Sequence, residues 1–183
     1  AYKSQKDISK VLGSGSSVCF AGFYHGALES FFIDQKLLDP KDQNYSKLAK
    51  VIPETCATKK SSSSVKEVNE CFHGLGHALM FATDSELPTA LKLCDELKDI
   101  QDSKWCYSGV FMENSTSTTN VDHPSKYIKK EDPQYPCKIL DSKYLPSCYI
   151  LQAFYFVEIS HGNWQKAGYL CQQIPTDFHQ ICF

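Results

Sequence analysis

Cysteine spacing constrains this chain more tightly than any other feature. Of its nine cysteines, Cys56 lies close to Cys71, Cys94 to Cys106, Cys137 to Cys148 and Cys171 to Cys182, while Cys19 stands apart. The second member of each pair, like Cys19, is followed by Phe or Tyr, which sets the register of a repeat. The aligned segments are Cys19-Phe-Ala-Gly-Phe-Tyr-His25, Cys71-Phe-His-Gly-Leu-Gly-His77, Cys106-Tyr-Ser-Gly-Val-Phe-Met112 and Cys148-Tyr-Ile-Leu-Gln-Ala-Phe154, and Cys182-Phe183 opens a further copy. So many paired thiols need an oxidising compartment, because cytosolic reductants keep such pairs open. Bonding within each pair closes a short loop, which stabilises the fold by about 2–3 kcal/mol through lost chain entropy. Cys19 is then left free or available to an assembly partner.

The apolar pattern between the cysteines is helical. Apolar residues recur at three- and four-residue steps over 18–32 and again over 65–81, where Val68, Phe72, Leu75 and Leu79 share a stripe. Pro88 opens a helix at a position where its missing N–H costs nothing. Further helices are expected over 104–113, with Asp102 or Ser103 as cap, from Pro136, from Pro146 to Ile159 with Gly162 as the stop, over 164–174, and from Thr176. Strand-like alternation is not sustained anywhere. The expected fold is all-α, a short α-solenoid of antiparallel helix pairs whose corners are each clamped by a disulfide. Residues 1–183 are expected to form one domain, with exposed polar loops near 57–64 and 115–133. Two N-x-Ser/Thr sequons, at Asn44 and Asn114, accord with an extracellular or cell-surface protein. The chain opens on Ala1-Tyr-Lys without a signal peptide, which reads as a fragment of a longer precursor.

Repeat frames measured from Cys71 to Cys106 and from Cys148 to Cys182 are 35 and 34 residues, the period of paired-helix solenoids. The segment Cys106-Tyr-Ser-Gly109-Val-Phe-Met-Glu-Asn114 is similar to the small-then-aromatic pattern of a Sel1-like first helix. On these features the chain resembles the tetratricopeptide and Sel1-like families, especially their disulfide-bonded secreted members. That resemblance implies a scaffold with a concave binding face, and implies no catalytic residues.

Histidine placement carries the most suggestive chemistry. His73 and His77 are four apart on one helix, so their imidazoles share a face at a spacing that can chelate one metal ion. His25 occupies the position in its repeat that His77 occupies in the next, and Glu29 follows one turn later. If the first helices of successive repeats lie side by side, His25, Glu29, His73, His77 and Glu113 converge. Glu158 and His161 form a secondary pair on a comparable face. Imidazole and carboxylate donors of this kind suit Zn²⁺, Cu²⁺ or Fe²⁺. A structural role for the histidines, bonded to neighbouring carbonyls beside Gly74 and Gly76, is the competing reading.

Other chemistries lack their residues. All nineteen basic residues are lysine and the net charge is −2, so the bidentate arginine contacts that recognise nucleic acid are absent. The apolar run from Cys148 to Ile159 is too short to span a bilayer. Neither an HExxH pair nor a Gly-x-Ser-x-Gly elbow occurs. Two functions remain. The favoured one is a secreted or cell-surface protein that binds a protein or glycan, without catalysis, as a subunit of a surface assembly. The alternative is a metalloprotein built on the His/Glu cluster.

Overall fold

Helix is the one regular element among the described residues, which in this computed structural model are 8–13, 22–38, 42, 45–61, 63–116 and 125–182. Cys19, Asn44 and part of the 115–133 segment lie outside them. No described helix is long and apolar enough to cross a membrane. Four disulfides, Cys56–Cys71, Cys94–Cys106, Cys137–Cys148 and Cys171–Cys182, join the pairs that spacing predicts. The chain divides into two compact units, Ala1–Val110 and Phe111–Phe183.

The first unit is built around one long helix. Its elements are α1 (Ile8–Gly13), α2 (Gly22–Asp34), α3 (Ser46–Thr55), a 3₁₀ turn (Ala57–Ser61), α4 (Val65–Ala82), α5 (Leu87–Cys94) and α6, which begins at Ile100. Ser64 and Glu67 start α4 with a reciprocal capping box: the Glu67 amide donates to Ser64 Oγ at 3.3 Å, and the Ser64 amide donates to Glu67 Oε2 at 2.9 Å. From Glu70 to Met80 every residue of α4 is buried, because α2 packs along one side and α5 along another. Tyr24, Leu28 and Phe32 of α2, Leu48 and Ile52 of α3, and Phe72, Leu75 and Leu79 of α4 form the core. Each such side chain contributes about 1.5–3 kcal/mol on burial.

Two departures from the sequence pattern have local causes. Helix α6 starts at Ile100 rather than near Lys104, because the Asp99 carboxylate accepts the Gln101 amide at 2.8 Å and so caps the helix earlier than Asp102 or Ser103 would. Segment 57–64 is not an exposed linker throughout. Lys59 is only 1% exposed, its ammonium 5.3 Å from the centroid of the Tyr24 ring, and Lys60 pairs with Asp102 at 2.5 Å. Helix α3 is a further element that apolar spacing alone does not single out, since Pro53 lies inside it.

In the second unit, two 3₁₀ turns (Cys137–Ile139 and Ser142–Tyr144) lead into α7 (Leu145–Ile159), followed by α8 (Trp164–Gln172), a 3₁₀ turn (Thr176–Phe178) and α9 (His179–Cys182). Pro146 sits in the first turn of α7, where it is tolerated. Helix α7 packs against α8 and α9. Its buried Gln152 donates from Nε2 to the carbonyls of Pro133 at 2.7 Å and Tyr135 at 3.2 Å, anchoring the end of the preceding loop.

Candidate metal centre

The motif His73-Gly74-Leu75-Gly76-His77 places one glycine toward each neighbouring helix. A Cβ at Gly74 would lie 2.7 Å from the Cβ of Tyr24 and 3.1 Å from the His25 backbone nitrogen. Glycine there lets α2 approach until His25 reaches His77. On the other side, a Cβ at Gly76 would collide with the Cys106 carbonyl oxygen and lie 2.7 Å from the Val110 nitrogen, and one at Gly109 would collide with the His73 carbonyl oxygen. That crossing brings α6, and Ser108 with it, against His73.

Three imidazoles meet as a result. The ring centroids of His25 and His77 are 4.9 Å apart, as are those of His73 and His77. His77 Nε2 is 3.1 Å from His73 Nε2, and His73 Nδ1 is 2.7 Å from Ser108 Oγ. One turn along α2, Glu29 Oε1 lies 2.7 Å from His25 Nε2. The cluster runs from the interior to the surface: His73 is 3% exposed, His77 9%, and His25 with Glu29 borders solvent. Loss of hydration, helped by the neighbouring His77 and His25, pushes the His73 imidazole down to about 3. It is therefore neutral at any ordinary pH.

Although the first unit closes at Val110, α6 runs unbroken from Ile100 to Thr116. Glu113 thus stands on the same helix as Ser108, one turn beyond Gly109. Donor atoms of His25, His77 and Glu113 all lie within 4.8 Å of one another. Two imidazoles and a carboxylate are the protein ligands of catalytic zinc sites of the His₂Glu type and of non-haem iron sites.

The predicted cluster of His25, Glu29, His73, His77 and Glu113 is therefore brought together, with a division of labour that spacing does not reveal. His73 faces Ser108 and His77, and it is not one of the three side chains that converge as donors. Ser108 is the residue sequence reasoning missed. The signal was present, because Ser108 in Cys106-Tyr-Ser-Gly stands where His73 stands in Cys71-Phe-His-Gly.

Other expected sites fare differently. Glu158 closes α7, but His161 has left the helix with φ 52°, so the two do not share a helical face. Asn114 is 1% exposed; its Oδ1 accepts from Ser125 Oγ at 2.6 Å, and its Nδ2 reaches toward the Tyr127 carbonyl at 3.5 Å. A glycan on that nitrogen would displace this arrangement.

No family model matches the chain, and no curated protein or solved structure matches it either. The residues and their geometry carry the functional argument alone.

Proposed function

We propose that this is an extracellular, disulfide-stapled helical-repeat protein that binds one divalent transition-metal ion through His25, His77 and Glu113. The observation that carries this reading is the convergence of those three donors within 4.8 Å. It is supported by Glu29 and His73, which engage the remaining faces of the two imidazoles at 2.7 and 3.1 Å. Metal-bound histidines commonly have such outer partners. The donor set accommodates Zn²⁺, Cu²⁺ or Fe²⁺. For the scaffold, the proposed arrangement is a solenoid of antiparallel helix pairs, in which each cysteine pair recurs at the corner between a shorter and a longer segment.

Metal analysis of the purified protein tests the reading. One equivalent of metal per chain is expected, removed by a chelator without loss of helical signal, because the disulfides and core hold the fold. His77→Ala should abolish uptake while leaving all four disulfides formed. If zinc, copper(II) and iron(II) each fail to bind at micromolar concentration, the reading falls and the imidazoles are packing groups.

A second reading, a protein-binding role, is favoured by one observation in the second unit. A groove of about 360 Å³ between α7 and α8 is lined by Ile150, Ala153, Phe154, Val157, Trp164 and Ala167, with Phe154 and Trp164 exposed. Those walls offer no polar side chain to a sugar hydroxyl, so an apolar peptide segment suits them better than a glycan. Phe154→Asp should abolish association with such a partner and leave metal uptake intact.

A further inference from the structure

The Ser108 hydroxyl has one proton and two close neighbours. Its oxygen lies 2.7 Å from the Trp105 carbonyl oxygen and 2.7 Å from His73 Nδ1. A carbonyl only accepts, so the proton belongs to Trp105; otherwise two oxygens would face each other at hydrogen-bond distance with nothing between them. His73 Nδ1–H must then donate to Ser108. In a neutral imidazole that tautomer carries its lone pair on Nε2, which therefore accepts from His77 Nε2–H across 3.1 Å. The lone pair of His77 is thereby assigned to Nδ1. The same logic applies at His25, because the Glu29 carboxylate accepts from Nε2–H at 2.7 Å.

We infer that His25 and His77 both coordinate metal through Nδ1, and that His73 is a positioning residue that fixes the tautomer of His77 rather than a ligand. This rests on the metal reading above and extends it to the donor atoms. The supporting shell is then Glu29 for His25, and the chain His73, Ser108 and the Trp105 carbonyl for His77. Outer partners of this kind orient a metal-bound imidazole and raise its basicity.

Long-range ¹H–¹⁵N correlation spectra of the ¹⁵N-labelled protein test the assignment. Without metal, His25 and His77 should be protonated on Nε2 and His73 on Nδ1. Zinc should then shift Nδ1 of His25 and His77 and leave His73 in its original tautomer. Zinc bound at Nε2 of His77 or at His73, or a metal-free His77 protonated on Nδ1, overturns the inference while the metal reading survives. If the stated tautomers are present and zinc does not bind, the metal reading fails and takes the coordination with it. A variant pair gives a second readout. Ser108→Ala should weaken zinc binding by about 10–100-fold, and Ser108→Thr, which keeps the hydroxyl, should restore it; equal affinities in all three proteins would remove the relay.

Discussion

Burial holds the His73 imidazole neutral down to about pH 3, whereas its ordinary value is 6.5, so an unfolded chain takes up a proton that the folded one refuses. Between those values the unfolded state binds more protons, and stability must rise with pH. As pH falls from 6.5 toward 3, the contribution of neutral His73 is progressively lost, at up to about 1.4 kcal/mol per pH unit for one proton. Urea unfolding of the metal-free protein at several pH values between 4 and 7 should show this slope, and His73→Gln should flatten it by as much as one proton. Parallel slopes in the two proteins would mean that another group carries the acid sensitivity. Chemistry at this scale was partly legible beforehand. The repeat register aligns His25 with His77, which is why their meeting could be anticipated. The partner of His73 could not, since Ser108 lies 35 residues away and reaches it only because two glycines let the helices cross.

Those glycines illustrate, at the scale of the element, how one residue type takes opposite roles. Gly76 faces the backbone of α6 with no room for a Cβ, while Gly26 on α2 has nothing within 4 Å of the place where a Cβ would stand. Gly76→Ala should therefore force the helices apart and destabilise the first unit by about 2 kcal/mol or more. Gly26→Ala meets no obstacle and gains helix propensity, and should stabilise by about 0.5–1 kcal/mol. Thermal unfolding of both variants checks the contrast, and equal effects would contradict the close crossing. Helix type was readable along most of the chain because long apolar stripes at helical spacing admit one interpretation. Boundaries were less so. Asp99 competes with Asp102 and Ser103 for the start of α6, and only the backbone geometry decides which carboxylate reaches an amide. Helix α3 hid behind Pro53, although Leu48 and Ile52 bury fully in the core.

For the whole molecule, the four disulfides span sequence separations of 15, 12, 11 and 11 residues. Each closure contributes about 3 kcal/mol by the chain-entropy estimate, and together they rival the net stability of about 5–15 kcal/mol of an ordinary domain. Reduction should accordingly abolish most helical circular dichroism at 37 °C, and reoxidation should restore it. A helical signal unchanged with all eight paired thiols reactive would show that the core stands without its staples. Asn114 adds a consequence for how such a molecule is made. Its side chain ends up enclosed with Ser125 and the Tyr127 carbonyl, yet the tripeptide Asn114-Ser115-Thr116 is a substrate for glycosylation while the nascent chain is still extended. Folding and sugar transfer therefore compete for one nitrogen, and a glycosylating host sorts the newly made chains by which event comes first.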